Sequence, residues 1–395
     1  MGNVESSDIP AWLALSRAEL PPRLAVELLE HFHGPTGIFS ASPVEIASAT
    51  HLSPTMLSRL LSQRPDDIGV RDQAALQAAG ISIITIQDFD YPPLLRQIPD
   101  PPPLLYVRGR LQEEDNRAVA VVGSRRCSPY GRLVAHSLAR ELALRGITVV
   151  SGLAVGIDGA AHQGAIEAGG RTIGVMACGL DVPYPRQHDE LKEQIIKQGA
   201  VISEVPLGTS PTPPRFPVRN RIISGLSLGT VVVEAPERSG ALITARLAAE
   251  QGREVFAVPG NVNSFHARGC HQLIRDGANL AEKVEDILQE LHLPLVASPD
   301  SEIGRDTAGR PAVTSVSLSS DAGPAQQAAS AEQAQPSPHP TGFPPEENRL
   351  LACLSLQQKY VDQIIRETSL PSSQVSAGLM MLELKGLVKR LPGNL

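Results

Sequence analysis

Residues 118–131 read Ala118-Val119-Ala120-Val121-Val122-Gly123-Ser124-Arg125-Arg126-Cys127-Ser128-Pro129-Tyr130-Gly131. Five small or β-branched apolar residues in an unbroken run describe a strand covered on both faces. Gly123 permits a sharp exit from it. Pro129 and Tyr130 then open a helix running toward Arg145, since proline is preorganised for a first helical turn. A buried strand, a short polar loop and a helix form the repeating unit of a parallel sheet.

The unit recurs on both sides. Short apolar runs lie at Ile81–Ile86, Thr148–Ser151, Thr172–Ala177, Val201–Glu204, Thr230–Glu234 and Glu254–Val258. Helical patterns fall between them near Gly159–Ala168, His188–Gln198, Asn220–Leu226 and Ala241–Gln251. The alternation predicts an α/β domain over residues 76–295, a Rossmann-like, mostly parallel sheet with helices on both faces. Ligands of such sheets gather where the carboxyl ends of the strands meet the loops.

Residues 1–75 read as short helices of a small helical domain, of the SAM or helix-hairpin-helix kind. Pro21-Pro22 splits the apolar pattern between Trp12 and Phe32, and Ser42-Pro43 and Ser53-Pro54 each pair a capping hydroxyl with an N-terminal proline. Residues 296–345 are rich in Ala, Ser, Pro and Gln and predict a flexible linker, because so few large apolar groups cannot offset the ordering entropy. Residues 346–395 return to a helix, helix, turn, helix, strand pattern, the order of a winged-helix domain. Its third helix carries Ser372, Ser373 and Gln374 but no arginine, a weak set for reading duplex sequence.

Aromatic residues make up 3% of the 395, which argues against binding built mainly on stacking platforms. The formal charge of -7 removes any global basic footprint, so a nucleic-acid site must rest on a local cluster. Cys127, Cys178, Cys270 and Cys353 form no Cys-x-x-Cys pair and read as free thiols of a reducing, cytoplasmic compartment. No signal peptide, membrane-inserting run or metal-ligand spacing is evident, and no cofactor fingerprint is present: the Gly123 loop is neither a dinucleotide-binding nor a Walker A motif.

Chemistry concentrates in the loops after the strands. Gly123, Ser124 and Arg125 offer amides, a hydroxyl and a forked cation to an anion. The second loop holds Gly152, Gly156 and Asp158, with Asp158 placed to cap the next helix, and His162 follows it. Gly179 sits in a third loop. The densest is Arg215-Phe216-Pro217-Val218-Arg219-Asn220-Arg221, in which a loop-to-helix transition could aim Arg219 and Arg221 at one ligand and Asn220 could cap the helix. Ser239, Gly240 and Gly260 complete the rim. Glu234 can cap a helix, position an arginine or act as a catalytic carboxylate. No nucleophile or second acid is matched to it, and no catalytic residue is assigned.

The ordered set resembles the DprA family, also called DNA-processing or Smf proteins. The matching pieces are Gly123-Ser124-Arg125, Ser151-Gly152-Leu153-Ala154 with Gly156-Ile157-Asp158, and Gly179-Leu180-Asp181 with Tyr184-Pro185. Ser203-Glu204, Phe216-Pro217, Arg219-Asn220-Arg221, Ser239-Gly240, Thr244, Pro259-Gly260 and Gly277-Ala278 continue them. The resemblance implies a non-enzymatic protein that binds single-stranded DNA during natural transformation and helps load the RecA recombinase. It also implies a homodimer formed through the Rossmann-like domain. Gly123, Ser124, Arg125, Arg171, Arg219, Asn220 and Arg221 are its implied DNA contacts. Arg171 precedes a strand, which by topology puts it at the opposite end of the sheet.

Two other functions compete. A nucleotide phosphoribohydrolase would use the same pocket with Glu234, though Gly229-Thr230 lacks the glycine run such enzymes carry. A duplex-binding regulator would act through the winged helix. On the DNA reading, each pocket arginine changed to alanine should weaken binding across all sequences and leave the fold intact.

Overall fold

Val119 and Val121 face one side of a nine-stranded sheet, and Ala118, Ala120 and Val122 the other, each set buried in its own apolar cluster. This computed structural model describes residues 8–63, 65–294, 350, 361–368, 370–384 and 388. They fall in two compact units, Met1–Ile303 and Gly304–Leu395.

The strands of the first unit are β1 Ile81–Thr85, β2 Leu104–Gly109, β3 Ala118–Val122, β4 Thr148–Ser151, β5 Thr172–Val175, β6 Ala200–Ser203, β7 Gly229–Val232, β8 Glu254–Ala257 and β9 Asn279–Leu280. Their spatial order is β1-β2-β6-β5-β4-β3-β7-β8-β9. From β6 to β9 every neighbour is parallel, as the alternation of buried strands and helices predicts. β1 and β2 add an antiparallel edge beside β6. β2 was not evident in the sequence: its apolar run follows three prolines, and the helix before it, Pro93–Arg96, is a single turn.

The chain leaves β3 to build β4, β5 and β6 on one side, then returns to build β7, β8 and β9 on the other. β3 and β7 therefore flank the switch point, where the loops at the strand ends diverge and leave a crevice. The helices Pro129–Leu144 and Ile157–Glu167 cover the Val119 face, and Arg215–Gly225 and Gly240–Glu250 cover the Ala120 face. Each valine buried there contributes about 1.5–3 kcal/mol.

Helices Ile9–Arg17, Pro22–His31, Pro35–Ser40, Pro43–Ala49, Pro54–Leu61 and Pro65–Ala78 precede the sheet. Ser42 and Glu45 close a reciprocal capping box, and Ser53 accepts from the Met56 amide at 3.3 Å. Trp12, Leu13 and Leu28 share one apolar cluster with Tyr106 and Val201 of the sheet, and the Tyr106 hydroxyl meets Ser16 Oγ at 3.0 Å.

In the second unit the helices Val361–Thr368 and Ser372–Leu384 bury Ile364, Val375 and Leu382 with Leu350. The linker expected over 296–345 lies outside the described residues, as does Cys353. So do the helix expected near Leu350–Leu356, apart from Leu350, and the strand expected near Leu387–Leu391, apart from Val388. Among the described residues no helix is long and apolar enough to cross a membrane.

Candidate functional site

A cleft of about 470 Å³ opens beyond β3 and β7, at the switch point. Gly123, Ser124 and Arg125 form one wall, and Arg219 and Asn220 another. Ser239, Gly240 and Asp158 add to the polar lining. The loop after β3 is pinned from both ends. Ser124 donates its amide to the Glu234 carbonyl at 2.8 Å. Ser128 donates its amide and hydroxyl to the two Glu234 carboxylate oxygens at 2.8 and 2.6 Å, while its Oγ accepts from the Gly131 amide. Glu234 thus closes the start of the Pro129–Leu144 helix, and its carboxylate does not line the cleft.

Arg219 is buried, 5% exposed, and works as a post as much as a contact. Its guanidinium donates to the carbonyls of Gly152, at 2.7 Å, and Val175, and its Nε donates to Asn220 Oδ1 at 3.3 Å. Gly152 separates it from Asp158: a Cβ on Gly152 would lie 2.6 Å from Arg219 Nη2 and 2.7 Å from Asp158 Oδ2. Burial pulls Arg219 down to about 10, against the attraction of Asp158, so it stays charged at neutral pH. Burial pushes the Asp158 carboxyl up, opposed by Arg219 and by the amides of Ala154 and Gly152. Gly156, at φ +93°, brings its own loop against the first; a Cβ there would sit 2.4 Å from the Ser124 carbonyl oxygen.

The exposed chemistry belongs to other side chains. The Arg125 guanidinium lies 4.6 Å above the Phe216 ring, and Phe216 meets Tyr184 at 5.6 Å. Arg126 and Arg238 line the same cleft, as does Phe265, which is 60% exposed. Among the described residues none of Arg125, Arg126 and Arg238 is paired with a carboxylate. Ser239 caps the Gly240–Glu250 helix by accepting from the Ala241 amide, and Gly240 and Ala241 at its start line the same cleft. Arg238 and Phe265 escaped the sequence reading. The pairing of Arg238 with a glycine-rich helix start was the available signal, whereas Phe265 follows only from the chain's return after β8.

The structure does not gather every expected residue. Arg171 sits before β5, at the amino ends of the strands, where it donates to both Asp115 carboxylate oxygens at 2.9 and 2.8 Å and to the Arg110 carbonyl. Arg221 pairs with Glu204 at 2.5 Å, away from the cleft lining. The helix begins at Arg215, so Arg219 and Arg221 both lie within regular helix, and two positions apart they project to different sides. For the same reason Asn220 caps nothing; its Nδ2 donates to the Gly240 carbonyl at 3.4 Å, tying two helices together. Asp158 is likewise inside its helix, where Gly156 occupies the N-cap position. Gly179 donates its amide to Thr209 in a loop knitted by Asp181, and Gly260 packs on Ala267; neither lines the cleft. Among the described residues no group of three or more His, Cys, Asp or Glu side chains could hold a metal.

His162 is fully buried behind the site. Its Nδ1 meets Thr172 Oγ1 at 2.7 Å, and because that hydroxyl donates to the Val149 carbonyl, Nδ1 carries the proton. Among the described residues its Nε2 has no partner, and burial, with His188 and Arg219 nearby, lowers the imidazole to about 3. The folded value lies below the ordinary 6.5, so between the two the unfolded chain binds one more proton. The stability held by neutral His162 is complete above pH 6.5 and is lost as pH falls toward 3, by about 1.4 kcal/mol per pH unit. In urea denaturation the gap between wild type and His162→Leu should therefore narrow by about 2 kcal/mol from near pH 7 to near pH 5. An equal gap at both pH values would refute this.

Fold and cleft together define a doubly wound α/β protein of the Rossmann-like ligand-binding class, with an arginine-rimmed site at the switch point. Residues 82–292 match the family DNA recombination-mediator protein A, and residues 327–394 match the DprA winged helix domain. The chain belongs to the DNA recombination-mediator protein A family, whose members are also called DprA or Smf. It is 34% identical to Protein Smf of Synechocystis sp. across 98% of each chain. It is 45% identical to the DNA processing protein DprA of Bacillus subtilis over 55% of this chain and 74% of that one. The crystal structure of DprA from Streptococcus pneumoniae superposes with a TM-score of 0.64 at 35% identity, covering 73% of this chain and 99% of that one.

Proposed function

We propose that the switch-point cleft binds single-stranded DNA and that the protein hands the strand to a RecA-type recombinase during transformation, without chemistry of its own. The observation that carries the binding step is Arg125 stacked on Phe216 beside Arg126 and Arg238, which have no carboxylate partner among the described residues. Guanidinium groups free of carboxylates suit phosphates, and an aromatic face suits an unstacked base; in a duplex the base faces are already covered by their neighbours. The small lining helices and loops supply amides, which contact phosphate without reading sequence.

Membership of a recombination-mediator family supports the handover and a cytoplasmic setting. Exposed Val262 and Leu280, both following β8, support a homodimer formed through this unit. The hydrolase reading loses support because Glu234 is held by Ser128. The test is titration of the full chain with a fluorescent oligothymidine at several salt concentrations. Affinity should fall steeply with salt, by a log–log slope of about 0.7 per phosphate neutralised, and an equal length of duplex should compete poorly. A folded chain that fails to bind at low salt overturns the proposal.

A further inference from the structure

A second cleft, of about 880 Å³, lies on the far side of the loops that wall the first. Both loops are shared. Ser124, Arg125 and Arg126 face the first cleft, while Cys127 and Pro129 face the second. Ala154 and Asp158 face the first, while Gly156 and Gly159 face the second. At Gly156 the two loops touch with no side chain between them, since a Cβ would meet the Ser124 and Arg125 carbonyl oxygens at 2.4 and 2.8 Å. The exposed Arg125 and Arg126 stand on this divider.

We infer that a single strand leaving the switch-point cleft crosses this divider and continues into the second cleft, where Arg132 takes a further phosphate. The inference rests on the single-stranded DNA reading of the first cleft. Arg132 is exposed, one turn into the Pro129–Leu144 helix, and has no carboxylate partner among the described residues. Gln187 and Gln194 are exposed amides able to donate and accept, and His136, bonded to Glu167 at 2.8 Å, and His188, bonded to the Leu153 carbonyl at 3.0 Å, are fixed rings in the lining. Among the described lining residues Glu190 is the one carboxylate, and it is solvated; Glu167 is held behind the lining by His136 and Gln163. A lining of amides and imidazoles around one cation suits a flexible polyanion more than an apolar helix, which would ask for more than the single large exposed apolar residue, Leu133.

The discriminating measurement uses the full chain with a tetrathymidylate, which fits one cleft, and a dodecathymidylate, which can enter both. Wild type should bind the longer strand more tightly than its added length alone provides. Arg132→Glu should weaken the longer strand by about tenfold, lower its salt slope by about 0.7, and leave the shorter one unchanged. Glu190→Gln, on the facing wall, should act in the opposite direction on the longer strand only. Both substitutions alter exposed side chains, so the fold is kept. If neither variant changes binding of the longer strand, or both strands bind wild type equally, the second cleft is not part of the path. If wild type binds neither strand, the reading of the first cleft fails, and this one with it.

Discussion

Arg219→Ala should lower the free energy of unfolding by about 3–5 kcal/mol, and the loss of DNA binding in that variant should follow largely from it. The guanidinium is 5% exposed and satisfies the Gly152 and Val175 carbonyls, the first beginning the loop after β4 and the second ending β5. Its removal leaves both carbonyls without that donor and takes the nearest cation from the buried Asp158 carboxyl. Against a typical total stability of about 5–15 kcal/mol, that is a large fraction. Arg219→Lys should recover only part, since an ammonium cannot fork between two carbonyls and Asn220 as the planar group does. The sequence reading expected an intact fold for every pocket arginine, and burial removes that expectation here. A urea midpoint for Arg219→Ala within error of wild type would show that the post is dispensable and that Arg219 acts on the ligand alone.

The switch-point cleft was legible because its walls follow from local pattern. The Ala118–Val122 run needs cover on both faces, Gly123 marks its exit, and Pro129-Tyr130 starts the helix where the structure starts it. What the pattern left open was direction. Phe216-Pro217 reads as loop, yet proline is tolerated in a first helical turn, and the helix begins at Arg215. That shift turns Arg221 toward Glu204 and Arg219 into the interior. No one-dimensional pattern distinguishes a buried arginine from an exposed one, because the difference lies in carbonyls from β5 and the loop after β4 converging on it. The stack of Arg125 on Phe216 is hidden for the same reason: the two are far apart in sequence and meet only because β3 and the Arg215–Gly225 helix face one crevice.

Arg125→Ala and Phe216→Ala should each weaken oligothymidine binding by about tenfold or more; Arg125→Ala should leave the unfolding midpoint in place, whereas loss of the half-buried Phe216 ring, packed on Tyr184, should lower it modestly. Arg125 is exposed and bears no ion pair among the described residues, so its loss removes charge and little packing. Base stacking on an aromatic face is worth about 1–3 kcal/mol per base, which sets the scale for Phe216. The variants should differ in kind. Arg125→Ala should lower the salt slope by about 0.7, the share of one phosphate, whereas Phe216→Ala should leave it near the wild-type value. They should also fail to add, because each side chain orients the other through the 4.6 Å stack; a coupling of about 0.5–2 kcal/mol is expected in the double variant. The control matters as much. Arg145 would pass for an ordinary surface arginine in the sequence, but it is mostly covered and bonded to Glu141 and Glu285, so its loss perturbs the fold. Arg23, 76% exposed on an N-terminal helix, is the proper reference. If Arg23→Ala weakens binding as much as Arg125→Ala, the strand is held by diffuse charge and the cleft has no special part in it.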